Sequence, residues 1–254
     1  MRYCPLGTTG LSVSELSFGA GPVSELMAGD SFEDQRAVVA RAFELGINWF
    51  DTAAGYGAGR SEENLGCLLE LLHPQQPIHV AIKVRLLLDQ ETDLRPLVVA
   101  SVRESLLRLR LPRVTLLQVH NSITPDDILG PRGVLAAMED LRAEGLVDHF
   151  GLTGIGHPDS LRLTLQSGRF ETIQAPFHLL NPSDLVEMPP DFPETNYGGF
   201  LHDAHDLGMG VFAIQVFAAG VLLGAPPSAY TLKTLFFPLS LYERDVARAT
   251  QLPA

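Results

Sequence analysis

Two periodicities alternate along the chain. Short, mainly apolar runs at residues 16–18, 47–50, 78–84, 114–119, 149–153, 172–175 and 210–214 read as buried strands. Between them, over 32–45, 62–72, 94–109, 134–144, 160–165 and 200–207, apolar residues recur every three or four positions, as on one face of a helix. Ahead of the first run, residues 3–6 and 11–13 flank a Gly7-Thr8-Thr9-Gly10 turn and predict a small hairpin outside the main body.

Strands separated by helices need crossover connections, and such units build parallel sheets covered on both faces. An open nucleotide-binding sheet would carry a G-x-G-x-x-G turn after its first strand, and Phe18-Gly19-Ala20-Gly21-Pro22 does not supply one. Unit count and length therefore favour an α/β fold of the (β/α)8 TIM-barrel type with an N-terminal β-hairpin, as a single domain over residues 1–254. Seven alternations are visible. The final βα unit is expected to be missing, which leaves the first and seventh strands with unpaired edges and favours self-association through the open barrel edge. Residues 230–238, YTLKTLFFP, read as a loop leading into a helix rather than as a substitute eighth strand. Residues 181–197, with four prolines, read as an irregular excursion or a cover over the barrel mouth.

Charge narrows the partners. A formal net charge of -12, from 30 acidic against 18 basic residues, argues against nucleic acid or an acidic membrane surface. No apolar run approaches the roughly 18 residues that suggest a membrane span. Cys4 and Cys67 are too few and too far apart for a metal cluster or a disulfide framework, and the N-terminus shows no basic region followed by an apolar core. A reducing, cytoplasmic location and no metal are expected.

In a barrel of this type the chemistry comes from the C-terminal ends of several strands, so those ends form a short search list. Asp51 ends the second strand, and the Gly- and Ala-rich loop beyond it displays Tyr56 before Ser61, which reads as an N-cap with Glu62 and Glu63 in the first helical turn. Lys83 lies inside HVAIKV, where a cation needs a facing carboxylate. It is one of two lysines in the chain, with Lys233. His120 follows the fourth strand. Taken singly, each residue has a plain structural reading: a loop cap, a loop aromatic, a snorkelling lysine, a satisfied histidine. Together they supply a tyrosine donor, a lysine that favours its anion, an aspartate that holds the lysine and a histidine that orients a carbonyl oxygen, which is the set that carbonyl reduction by hydride needs. Phe18, Trp49, Tyr56 and Phe177 are candidates for an apolar pocket wall or for core.

These residues sit in NWFDTAAGYG, VAIKV and LLQVHN, behind an opening LGTTGLSVSELSFG, and in those settings the chain resembles the aldo-keto reductase superfamily over nearly its whole length. The resemblance implies a barrel oxidoreductase that uses NADP or NAD on a small carbonyl or alcohol substrate. It implies Tyr56 as the acid, Lys83 and Asp51 as its tuning groups and His120 as the carbonyl-positioning group. It further implies a cofactor site containing Asp51, Thr153, Gln174, Gln215, Phe217, Gly220 and Leu222. Against the family pattern, Thr153-Gly154 keeps a hydroxyl and lacks an amide, Phe177-His178 replaces Tyr-Asn, and residues 214–224 lack the usual Ser-Pro-Leu. Those departures leave a second reading open, a barrel of this family that has lost cofactor binding and serves as a binding or regulatory protein.

Overall fold

The computed structural model describes residues 1–21, 25–86, 93–121, 124–130, 133–233 and 239–252. An antiparallel hairpin of β1 (Tyr3–Pro5) and β2 (Ser12–Ser14) opens the chain. Seven strands then form one parallel sheet in sequential order: β3 (Phe18–Gly19), β4 (Trp49–Asp51), β5 (His79–Val84), β6 (Val114–Val119), β7 (Val147–Thr153), β8 (Thr172–Pro176) and β9 (Gly210–Ile214). The helices are α1 (Phe32–Glu44), α2 (Arg60–Leu72), α3 (Arg95–Leu109), α4 (Pro125–Leu129), α5 (Val134–Ala143), α6 (Pro158–Gln166), α7 (Phe200–Asp206), α8 (Ala229–Lys233) and α9 (Leu239–Ala249). Several begin where local chemistry favours it. Glu33 and Asp34 meet the positive end of α1, and Pro158 opens α6 with Asp159 beside it. The periodic pattern foretold every strand of the sheet and helices α1–α3 and α5–α7; α9 is expected only as a helix following residues 230–238, and α4 is too short to leave a periodic signal.

Strand side chains alternate between two cores. Phe50, Val80, Ile82, Leu117, Val119, Phe150, Leu152 and Ile173 point outward into the layer that the helices cover. Trp49, Ala81 and Leu116 point inward, packed with Phe212 of β9. The Trp49 and Phe212 rings stand 4.6 Å apart although β4 and β9 are not neighbours in the sheet. The sheet is therefore strongly curled, a half-barrel of the TIM type. No eighth strand joins β3 to β9 among the described residues.

Three expectations change and one is narrowed. The hairpin does not lie free of the body: it inserts Leu6 and Val13 into the inner core, while Ser14 N donates to Asn48 Oδ1 at 2.7 Å and Thr8 N to Gly208 O at 3.0 Å. Of the two readings open for them, Trp49 and Phe18 take the core one: Trp49 belongs to that floor and Phe18 packs against the outer layer, its ring 5.3 Å from Phe50. Ser61 is not the N-cap of α2; Gly59 is, and the Ser61 hydroxyl, one residue inside the helix, donates instead to Ala20 O at 2.8 Å and pairs with Thr52 Oγ1 at 2.9 Å. Residues 229–233 are helical rather than loop, started by Ser228, whose Oγ accepts from Thr231 N at 3.1 Å; residues 234–238 of the same stretch lie outside the described residues. The segment 181–197 holds no helix or strand. Ser183 organises it, its hydroxyl donating to Thr195 O at 3.1 Å and accepting from Tyr197 N at 3.0 Å.

Curling brings inner side chains from different strands close, and Gly151 on β7 is where they need room. A Cβ there would lie 2.4 Å from Thr172 Oγ1 and 3.1 Å from Gln118 Cγ. Overpacking of this kind costs about 1–3 kcal/mol. Gly151→Ala is expected to lower stability by that amount in urea denaturation, and a midpoint equal to wild type would overturn the tight interior described here.

Candidate active site

Lys83 is the fourth buried residue in a run of five on β5, and its side chain is 1% exposed. A cation there is tolerable only if paired. The ammonium meets the Asp51 carboxylate in a short ion pair, donates to the Tyr56 hydroxyl at 3.0 Å and reaches Thr52 O at 3.4 Å. It also lies 4.8 Å from the centre of the Tyr56 ring. Burial by itself would depress the Lys83 pKa, but the Asp51 charge, reinforced by Tyr56, outweighs it and holds the group above its ordinary value. Lys83 therefore stays charged across the physiological range.

Asp51 is pinned from two directions. Its Oδ1 takes Lys83, and its Oδ2 accepts from Gln174 Nε2 at 2.7 Å and from Gln118 Nε2 at 3.2 Å. Gln118 is fully buried near the C-terminal end of β6, directly opposite Lys83 in the β5–β6 ladder. Sequence reasoning passed over it. The signal was available: a lone amide in an apolar strand, two residues before His120 and so on the same face. Removing one partner of such a buried pair leaves the other charge uncompensated, at a cost of about 3–5 kcal/mol.

His120 follows β6 at once. Its backbone N donates to Val84 O at 2.9 Å, and the next side chain, Asn121, clips the loop to β5 by accepting from Leu86 N at 2.9 Å and donating to Leu86 O at 3.1 Å. The imidazole meets the Tyr56 ring edge-on with centroids 5.5 Å apart. Burial first, then the charges of Lys83 and Arg85, lower its pKa to about 4, so the ring is neutral at pH 7 and can donate one N–H to a carbonyl oxygen without titrating there.

The four candidate chemical residues thus converge on one spot at the C-terminal mouth of the sheet. Of the candidate cofactor residues, Gln174 joins them through Asp51, and Thr153, its ladder partner at the end of β7, is buried with no hydrogen-bond partner for its hydroxyl among the described residues. The rest sit after β9. Gln215 and Ala218 adopt positive φ, and the 3-10 stretch over 218–223 is kinked by positive φ at Ala219 and at Gly220, at 96°. The Phe217 side chain there is largely exposed. Leu222 turns away from the mouth toward Leu180, Val221 and Tyr242, and it lines a cavity of about 540 Å³ between that turn and α9.

Comparison with known proteins gives a consistent result. A family model described as the aldo/keto reductase family matches residues 15–230. The chain is 36% identical over 217 residues to L-galactose dehydrogenase of Arabidopsis thaliana, covering 83% of this chain and 66% of that protein. It is 28% identical over 244 residues to D-threo-aldose 1-dehydrogenase of a Pseudomonas species, covering 86% of this chain and 70% of that one. The chain thus spans about two thirds of the length of these curated relatives. An aldo-keto reductase from Bacillus halodurans, solved in its holo form, superposes with a TM-score of 0.72 at 24% identity, covering 100% of this chain and 78% of that one.

The depressed His120 pKa makes stability depend on pH. The unfolded chain takes up a proton on this residue near 6.5 and the folded chain only near 4, so the unfolded state binds more protons in between and stability falls as pH drops through that window. Asp184, pushed up to about 6 by burial, has the opposite sign, because its folded form keeps a proton that the unfolded form has lost. Comparing wild type with His120→Asn cancels the Asp184 contribution. The stability of wild type relative to the variant is expected to decline between pH 7 and pH 4 in urea titrations. A pH-independent difference would show that the imidazole is not buried as described.

Proposed function

The chain belongs to the aldo/keto reductase family, and on that premise we propose that it is an NAD(P)-dependent oxidoreductase interconverting a small carbonyl compound and its alcohol, with Tyr56 as proton donor. The observation that carries the reading is the Lys83–Tyr56 contact. The phenol oxygen already accepts from a buried cation, so the proton it carries is the one available to a substrate oxygen. Among the described residues no helix is long and apolar enough to cross a membrane. The free thiols of Cys4 and Cys67 suit a reducing compartment, and we propose a cytoplasmic location on that ground.

Bound nicotinamide supplies the hydride in reduction and takes it up in oxidation. In the reductive direction Tyr56 gives its proton to the carbonyl oxygen, and Lys83 stabilises the negative charge left on the phenol. His120, neutral at working pH, donates to the same substrate oxygen and fixes its approach. Asp51 keeps Lys83 charged and in place. For the cofactor, the unpartnered Thr153 hydroxyl and the Gln174 amide are the groups suited to hold a carboxamide, and an engaged Gln174 leaves Gln118 as the amide on Asp51. Asp51 itself borders this site. Phe217 offers an exposed ring for stacking, and Gln215, Gly220 and Leu222 shape the turn that carries it. NADP and NAD are both compatible with these groups.

Both relatives above are named as dehydrogenases of aldoses, and we assign the same substrate class here, with the sugar oxidised at C1. In the oxidative direction Tyr56, its anion favoured by Lys83, takes the proton of the sugar hydroxyl as the hydride leaves, and loss of that oxygen should lower turnover at least about 100-fold. Tyr56→Phe is therefore expected to lose L-galactose oxidation while binding reduced cofactor as wild type does, followed by nicotinamide fluorescence. Wild-type turnover by that variant would remove Tyr56 from its role. If neither NADH nor NADPH binds at millimolar concentration, the chain is instead a binding or regulatory barrel.

The outer edges of β3 and β9 have no ladder partner among the described residues, and we propose that copies associate through them. Sedimentation across a concentration series is expected to show reversible assembly. A monomer throughout would refute it.

A further inference from the structure

The turn that carries Tyr56 is left-handed, closed by the Arg60 backbone N, which donates to Tyr56 O and Gly57 O. Gly57, Ala58 and Gly59 all have positive φ, at 61°, 55° and 95°, so no helical ladder runs through them. Two outside contacts buttress it. Ala28 packs so closely under Gly57 that a Cβ there would lie 2.6 Å from the Ala28 Cβ. Arg108 of α3 lies along Gly59, where a Cβ would fall 2.9 Å from its Cδ and 3.1 Å from its Nε.

The guanidinium then turns back. Its Nε donates to Glu62 Oε2 at 2.7 Å and its Nη2 to Ser105 Oγ at 3.3 Å. Glu62 is in the first turn of α2, the helix that the Tyr56 turn runs into, and its side chain is 0% exposed against 22% for Arg108. Other ion pairs on or next to α3, Arg95–Asp140, Arg103–Glu144 and Arg110–Glu70, are exposed on both partners. Only Arg108, of these, reaches a buried carboxylate and touches the turn. Glu62, Arg108 and Gly59 thus close a ring at the junction where the Tyr56 turn enters α2.

We propose that Arg108, held by Glu62, is a positioning residue for Tyr56: it fixes the left-handed turn and thereby sets the phenol oxygen against Lys83. The proposal rests on the reading of Tyr56 as proton donor, but its main test does not need turnover. The full chain, labelled at the ring Cζ of its five tyrosines, is titrated by NMR, with Tyr56→Phe assigning the signal. In Arg108→Ala the Tyr56 signal and its titration are expected to move while those of Tyr3 and Tyr242 hold. Arg108→Lys, which keeps an aliphatic shaft on Gly59 and a cation at Glu62, should restore both. Arg103→Ala, which breaks an exposed pair on the same helix, should match wild type. In the active protein kcat should fall between about 10- and 100-fold in Arg108→Ala with KM for the cofactor unchanged, as expected for a displaced reacting group. An unchanged Tyr56 signal in Arg108→Ala, or equal movement of all the tyrosine signals, overturns the proposal. If Arg108→Ala does not fold, Glu62→Gln takes its place: a moved Tyr56 signal supports the ring, and an unmoved one refutes it. A wild-type chain without turnover would count against the donor role of Tyr56 and leave the signal to decide the role of Arg108.

Discussion

One ammonium enclosed by a parallel sheet imposes a series of requirements on the strands around it. Lys83 needs a carboxylate, and Asp51 supplies one from β4. That carboxylate has a second oxygen, which takes amides from β6 and β8. Gln118 in turn fits only because β7 has no side chain at Gly151. Residue choices on five strands thus answer to a single charge. The Tyr56 hydroxyl is the point at which this internal arrangement meets the open mouth.

The sequence disclosed most of this where the information is local. A lysine amid Val, Ala and Ile announces a buried charge, and the shift between period two and period three to four marks the elements. Asp51, Tyr56 and His120 stand at strand ends, where a parallel α/β fold places its chemistry. What stayed hidden is set by contacts between distant segments. Ser61 has the look of a helix cap, yet Ala20 and Thr52 claim its hydroxyl because the ends of β3 and β4 lie beside it. Phe18 and Trp49 are both aromatic residues near the same strands, and only strand register tells that one faces the helices and the other the floor. Arg108 is indistinguishable by pattern from the exposed arginines near it.

The two ends of the sheet are built for different purposes. At the bottom, Leu6 and Val13 close the interior against Trp49, Ala81 and Leu116, an apolar plug that excludes water. At the top the interior is polar, and its groups are satisfied largely by one another. Water is thus kept from the rear of the site, where it would weaken the Asp51–Lys83 attraction, while the front stays open to a substrate.

The sequential strand order also governs when the site can come into being. Strands pair only with their neighbours in sequence, so the sheet can grow by modest loop closures, one unit at a time. Lys83 finds Asp51 across 32 residues and Gln118 finds it across 67. Gln174 must close 123 residues, and it can do so only after β8 has been laid down and the sheet has bent round far enough to bring it over β4. On a ribosome the aspartate would therefore be made early and completed late. The chemistry becomes available only to a chain whose architecture is already in place, and a partly folded molecule carries the pieces of the site without its function.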